Sequence, residues 1–518
     1  MAGRKPVLRS LTPRLLRIFM LASIGAMNFG YDNNWWSGAI ASKEFNDDFG
    51  QYVDGPDQAK SLPSSWLSTA SGTPIAGWIV GCFVANYLTS GLGRRRTIMI
   101  LCGIALVGMI MQCAISSFWG IMAGRLVNAV SMGIEANTVP MYMAELAPAS
   151  IRGGLVGFYQ TWLYVGAILA TATVYGSTTS FNDKWAYLTP IVVQFSPPVM
   201  LLTAVFFIPE SPRWLLQKGR REEALQALAY AREGSMTEEA IANELRLIEV
   251  AMQEEHENHR ATSYLDCFRG SNLPRVCIAM GVQCLQQAQG NSFISTYLVI
   301  FLGQVGIEEP QLIAIVYYAC SLVGCMLAFY LSDKLGRRPM LMGGALLLGT
   351  LLWITSGLAS WGPSSLAAAN GSIAAIMLYG AVSASCWGSV MWTVTAEVST
   401  SQLRERTISI ATMASFSTSL LVTYVNPFIQ DEPGNLSSRV GMMYGGISIL
   451  AAVFVFLVVP EMKGRSLEEI DELFHAGTPA WRSTRFVATG VGADISGINK
   501  GLSGKEKVID GVDVEEPL

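Results

Sequence analysis

Charge is what this sequence has least of. Only 14% of its 518 residues are Asp, Glu, Lys or Arg, against roughly 25% in an ordinary soluble domain, so water cannot solvate most of the chain. Histidine is nearly missing, with 3 copies. Two of them, His256 and His259, fall in the charged run EEHENHR and the third is His475. That setting reads as a solvated helix face, which leaves no expected metal site. Cysteine is sparse where a disulfide would need it. Cys82, Cys102, Cys113, Cys284, Cys320, Cys325 and Cys386 lie inside apolar runs, Cys277 at the edge of one and Cys267 in a polar segment, which excludes a disulfide framework. The net charge of −4 says little, because orientation in a membrane follows basic residues rather than net charge; no nucleic-acid partner is expected. No nucleophile and base pair stands in the apolar runs, which argues against an enzyme, and nothing calls for a cofactor.

What is abundant is apolar sequence: 51% of the chain is hydrophobic. A membrane-spanning helix needs about 20 predominantly apolar residues. Twelve runs qualify, near 16–40, 69–91, 97–117, 118–142, 153–176, 186–208, 276–303, 311–332, 340–361, 369–393, 407–429 and 438–460. The expected class is therefore an all-α polytopic membrane protein in a lipid bilayer. Most of the 35 Lys and Arg fall before the first run, after every second run and in the tail, which puts both termini in the cytoplasm by the positive-inside rule. The start of the chain lacks the order of a cleaved signal, so the first helix is expected to stay. The expected organisation is a cytoplasmic N-terminus (1–15), a six-helix half (16–208), a helical cytoplasmic linker (209–275), a second six-helix half (276–460) and a partly disordered cytoplasmic tail (461–518).

The two halves repeat each other. GLGRRR after the second run returns as DKLGRRP after the eighth, and ELAPASIR after the fourth returns as EVSTSQLR after the tenth. PESPR after the sixth run is matched by PEMKGR after the twelfth. Three pairs at nearly one offset identify two homologous halves, the architecture of many secondary transporters with a midplane site.

Five stretches, PESPRWLLQKGR, DKLGRRP, PMYMAELAPASIRGGLVGFYQ, QQAQGN and PEMKGRSLEEIDELF, closely resemble the signature set of the sugar porter family within the major facilitator superfamily, in the family's order. The resemblance covers about residues 20 to 475 and is to fungal-type sugar transporters. It implies the major facilitator fold, alternating access by rocking of the two halves, and function as a monomer, with the plasma membrane as its place. It also implies a cytoplasmic latch of ion pairs between the halves, drawn from Arg94, Arg95, Glu145, Arg152, Glu210, Arg213, Asp333, Arg337, Arg338, Glu397, Arg404 and Glu461. One departure is Ser90, which stands where the family has an acid before Gly93.

Amide groups suit paired sugar hydroxyls because each offers a donor and an acceptor. By resemblance, Gln160, Gln286, Gln287 and Trp392 align with sugar contacts, and Asn291 and Ser292 stand where the family's next amide is displaced by one position. Ser415 and Phe416 replace a common amide and tryptophan, and Ser389 replaces a proline after Gly388. The solute therefore stays open among hexoses, pentoses, disaccharides, polyols and quinate-like acids.

Away from their ends, the runs hold three charged residues, Asp32, Arg125 and Glu135. Asp32 and Arg125 share a depth of about 10 to 12 Å from the outer end at 1.5 Å per residue. By resemblance to sugar–proton symporters they carry proton coupling. Glu135 has no role in the family and reads as an inner-cavity acid touching solute or proton, or as an acid bonded to a neighbouring helix. A sugar–proton symporter is the function expected. The alternatives are a proton-independent facilitator and a non-transporting sugar receptor of the same fold.

Overall fold

The computed structural model describes residues 12–52, 60–148, 152–233, 236–260, 264–304, 306–361, 366–400, 403–431, 433–465 and 467–486. The N-terminal residues 1–11, the tail from 487 onward and the side chains of Arg152 and Asp333 lie outside this set. Among the described residues there is no strand, only an isolated antiparallel bridge between Gln51 and Ser61.

Twelve helical passes correspond to the twelve apolar runs. In the first half they are α1 (Pro13–Ala39), α2 (Ser64–Leu92), α3 (Arg94–Ala114), α4 (Phe118–Leu146), α5 (Arg152–Ser180) and α6, made of Trp185–Val193 and Ser196–Ala204. In the second they are α7 (Asn272–Gln286 and Ser292–Gln304), α8 (Pro310–Leu335), α9 (Arg337–Trp361), α10 (Leu366–Val382 and Val390–Val398), α11 (Arg404–Gln430) and α12 (Val440–Val458). Local chemistry sets several starts. Thr12 caps α1 by accepting from the Leu15 amide at 3.0 Å, with Pro13 at the first helical position. Ser117 caps α4 by accepting from the Gly120 amide at 3.2 Å.

Eight helices among the described residues are long and apolar enough to cross a membrane. The four passes not among them, α1, α4, α5 and α7, carry Asp32, Arg125, Glu135, Gln160, Gln286 and Gln287. Their polar load marks them as the helices that face the protein interior rather than lipid, where intramembrane ionisable groups belong.

The polar segment after α6 folds as three helices, Pro212–Gln217, Arg221–Arg232 and Glu238–Arg260, around Trp214, Leu215, Leu228, Ile241 and Leu245. Arg232, 1% exposed, fastens it to the first half: it donates to the Leu146 carbonyl at the end of α4 (2.9 Å) and to Glu244 (2.8 and 3.1 Å). Thr12 adds a bond to the Ala231 carbonyl. The short helix Leu467–His475 is held to the second half by Arg275, which pairs with Asp471 and lies 4.5 Å from the Phe474 ring centroid. These segments share one end of the bundle, the linker end.

The halves meet where α2 packs on α11, α5 on α8 and α1 on the later part of α7. Hydrogen bonds across this seam gather at the end opposite the linker. Ser64 donates to Asp431 (3.1 Å), Thr178 to Gln311 (2.6 Å), Gln311 to the Gly38 carbonyl (3.5 Å), and the Val299 amide to Ser37 (3.3 Å). A large buried apolar cluster there draws on both halves, including Trp35, Trp36, Phe45, Tyr187, Phe293, Leu298 and Phe301.

Candidate functional site

The site is assembled from the interior faces of α1, α4, α5, α7 and α11. Asp32 in α1 is 8% exposed. Its Oδ1 accepts from Asn128 Nδ2 of α4 at 2.7 Å and from Gln194 Nε2, which sits between the two pieces of α6. Arg125, also 8% exposed, donates to the Ala70 carbonyl of α2 at 2.8 Å, and its guanidinium lies 3.8 Å from the Trp36 ring centroid and 5.5 Å from that of Trp35. The two expected partners are thus near enough to interact electrostatically, but each has its own closest ligands. Carboxylate and guanidinium are each satisfied separately, an arrangement in which their distance can change without leaving either bare.

Asn128 and Gln194 were not anticipated from the sequence. Asn128 stands three residues after Arg125, so it shares that helix face, and Gln194 is an amide within the apolar stretch IVVQF. Both signals were readable as polar residues in a span. Only the fold shows that they converge on Asp32.

Glu135 is fully buried at 0% exposure. Its Oε1 accepts from Tyr159 of α5 at 3.5 Å, and its Oε2 has no hydrogen-bond partner. Asn28, one turn before Asp32 on α1, faces this carboxyl. Its Nδ2 donates to Met132 Sδ at 3.7 Å while its Oδ1 has no partner.

In the second half the α7 helix breaks at Gln287–Asn291, where Gly290 takes φ +111°, a conformation that L side chains adopt only with strain. The break turns Gln287 toward α11. Gln287 Nε2 donates to Ser415 Oγ at 3.2 Å, while Ser292 Oγ lies 2.7 Å from Gln287 Oε1 and 2.9 Å from Ser419 Oγ. The neighbouring amide differs in setting: Gln286 is 5% exposed with Oε1 unpartnered. Ser415, noted in the sequence as a departure, is therefore the hydroxyl that answers Gln287. Phe416 has a partner too. It lies 6.0 Å from Trp78 of α2, which lies 5.3 Å from Phe29 of α1, an aromatic run joining the halves near mid-membrane. Gln160, Asn291 and Trp392 are partly buried, and Trp392 packs against the large apolar cluster.

The charged motifs at the linker end form two copies of one cluster. Arg94 pairs with Glu145 at 2.6 Å and Arg337 with Glu397 at 2.8 Å, each within its own half. Glu210 accepts from the Arg94 and Arg95 amides, and Glu461 from those of Arg337 and Arg338, at 2.9 to 3.2 Å. Each glutamate thereby caps the start of α3 or α9, where a negative charge is favoured. Gly93 (φ +89°) and Gly336 (φ +95°) make the two tight turns. Arg95 also donates to the Val205 carbonyl and Arg338 to the Phe456 carbonyl. Arg404 Nε and Nη2 are buried and without a hydrogen-bond partner. The pairs that the sequence set between the halves are, for Arg94 and Arg337, pairs inside one half in this state.

Two six-helix halves around a polar interior, with their charged motifs duplicated at one end, define a multi-pass major facilitator transporter. Residues 18–474 match the family model described as "Sugar (and other) transporter", and the chain belongs to that family. It is 31% identical to the probable glucose transporter rco-3 of Neurospora crassa, over 94% of this chain and 84% of the relative. It is 27% identical to a high-affinity glucose transporter of Kluyveromyces lactis, over 97% and 94%. It is 28% identical to the high glucose sensor RGT2 of Saccharomyces cerevisiae, over 77% of this chain but 53% of that protein. Among solved structures, the proton:xylose symporter XylE bound to a bromodeoxyglucose superposes with a TM-score of 0.72 at 23% identity, covering 90% of this chain and all of XylE. The inward open form of XylE from E. coli gives 0.73 at 23% identity, covering 89% and 99%.

Proposed function

We propose that this protein is a secondary active transporter that moves a sugar across the plasma membrane by alternating access, with a proton carried in the same direction. The linker end is the cytoplasmic end on this reading. The hydrogen bonds between Ser64 and Asp431, Thr178 and Gln311, and Ser37 and Val299 then close the outer mouth, so the structure is a state closed to the outside. The solute sits between the Gln287, Ser292, Ser415 and Ser419 group and Gln160, with Trp392 and the Trp78–Phe416 contact as apolar walls for the C–H faces of the ring. The glucose-transporter relatives favour a hexose.

The observation that carries proton coupling is Asp32, an ionisable group 8% exposed in the span interior beside Arg125. A buried carboxyl next to a movable cation changes its proton affinity as the cation approaches or withdraws. Protonation of Asp32 from the outside releases Arg125 and permits rocking; loss of the proton to the cytoplasm resets the pair. The arginine and glutamate clusters at the linker end belong, on this reading, to the latch of the opposite state.

The test is uptake of radiolabelled D-glucose in transporter-deficient yeast. Accumulation above the outside concentration, abolished by a protonophore, is the expected result. Uptake that only equilibrates identifies a facilitator. Binding without uptake identifies a receptor, the reading favoured by the likeness to RGT2.

A further inference from the structure

We propose that Glu135 is a second proton-binding site, and that it and Asp32 hold one proton between them in exchange. The inference rests on the proton-coupled reading above and assigns a task to a carboxyl that reading leaves idle. Among the described residues the first half buries two carboxyls, Asp32 and Glu135, and two guanidiniums, Arg125 and Arg94; Arg94 is already matched by Glu145 at the linker end, which leaves Asp32, Glu135 and Arg125 to balance one another. The groups facing Glu135 are Asn28 and Asp32 from α1, Cys102 from α3 and Tyr159 from α5; none of these is a cation. Glu135 Oε2 and Asn28 Oδ1 are both acceptors with no donor. A proton on the carboxyl gives Asn28 Oδ1 a donor, and it removes a charge that faces no cation in a dry site.

Charge balance then ties the two carboxyls together. With Asp32 ionised near Arg125, the three groups are neutral when Glu135 carries a proton. When Asp32 takes up a proton, Arg125 is left unmatched, and neutrality returns when Glu135 gives its proton up. One O–H bond forms at Asp32 and one breaks at Glu135, and the released proton leaves toward the linker end. Glu135 is seven residues beyond Asn128, the α4 residue that holds Asp32, so the exchange displaces charge by about 10 Å along the helix at 1.5 Å per residue. Polar groups occupy the interval. Asn128 donates to Asp32, Ser131 Oγ lies 2.6 Å from the Asn128 carbonyl and 3.3 Å from its Oδ1, and Asn28 follows one turn below Asp32.

The experiment uses the full-length purified protein in lipid nanodiscs and reads infrared difference spectra as buffer pH is stepped, with no sugar present. The expected wild-type spectrum holds a protonated-carboxyl band at neutral pH that is missing in Glu135→Gln and retained in Glu135→Asp. In Asp32→Asn that band should titrate at lower pH, because Arg125 then favours an ionised Glu135. A neutral-pH band unchanged in Glu135→Gln, or an unmoved titration in Asp32→Asn, overturns the inference. In proteoliposomes, D-glucose accumulation driven by a proton gradient should fall at least tenfold in Glu135→Gln and recover in Glu135→Asp. Wild-type accumulation in Glu135→Gln overturns the inference and leaves the symport reading standing. A wild-type protein that accumulates nothing, with the bands behaving as expected, defeats the symport reading instead.

Discussion

Asn128 donates to Asp32 Oδ1 at 2.7 Å, although the two residues lie 96 apart in sequence and on different helices. The carboxyl is held by amides from α4 and from the bend in α6, while Arg125 is turned to the Ala70 carbonyl and the face of Trp36. An amide can keep a carboxyl in place in either protonation state, since it donates to the anion and its oxygen can accept from the acid. That suits a group whose charge changes during a cycle better than a permanent ion pair does.

Asp32→Asn should abolish uphill D-glucose accumulation driven by a proton gradient, yet leave exchange down a gradient. The asparagine keeps shape and hydrogen bonding but has no proton to gain or lose. Accumulation and counterflow measured side by side in proteoliposomes decide the matter, and uphill accumulation at the wild-type rate in the variant would rule out Asp32 as the carrier.

Gln287→Ala should raise the apparent KM for D-glucose more than Gln286→Ala does. The first removes the amide that joins Ser292 and Ser415, leaving a sugar hydroxyl unmatched at a cost of about 1 to 3 kcal/mol. Gln160→Ala should also raise KM. Surface expression of all three, followed by a fluorescent tag, separates binding loss from misfolding.

Gly336→Ala should lower the melting temperature of the detergent-solubilised protein. The residue sits at φ +95°, and an added Cβ would meet Glu461 Oε2 at 2.7 Å. The left-handed backbone alone costs a non-glycine residue about 1 kcal/mol or more, and displacement of the cap on α9 adds to it. Gly93→Ala should behave alike through Glu210. A melting temperature equal to the wild type would show that the turn relaxes freely.

On the proposed orientation, Asp431 gives the closed outer mouth a modest pH dependence. Partial burial raises its carboxyl above the usual range, and the Ser64 hydroxyl acts in the opposite sense by favouring the anion. Opening the mouth would return the group to water and its ordinary value. Protons therefore favour the closed state: its advantage is full below the ordinary carboxylate range and fades as pH rises through the higher closed-state value. The residue is largely exposed on its outer side, which keeps the effect small. Spin labels on the outer ends of α2 and α11 should report a longer mean distance as pH rises, and the trend should flatten in Asp431→Asn.

The twelve passes were legible because hydrophobic runs are local. Each needs only its own composition and length, and the observed helix ends fall within a few residues of the runs read from the sequence, as with 118–142 against Phe118–Leu146 and 407–429 against Arg404–Gln430. The repeat was legible for a similar reason. A turn such as LGRR demands glycine at a positive φ wherever it occurs, so Gly93 and Gly336 mark it twice. The breaks in α7 and α10 were less so, since Gln287–Asn291 and Ser383–Gly388 each lie inside one long run of otherwise apolar sequence, and the positive φ of Gly290 is a property of the fold rather than of the local pattern.

Sequence alone determined that this chain lives in a bilayer as two related six-helix halves, and that Asp32, Arg125 and Glu135 are the charges set inside its apolar runs. Tertiary structure decided what each charge touches. Asp32 meets Asn128 and Gln194, Arg94 and Arg337 find Glu145 and Glu397 within their own halves, and Phe416 reaches Trp78 across the seam. These partners lie 51 to 338 residues apart in sequence, as with Arg94 and Glu145 at one extreme and Trp78 and Phe416 at the other. No local pattern encodes such a meeting, because it depends on how the helices rotate and tilt against one another and on which mouth of the transporter is closed.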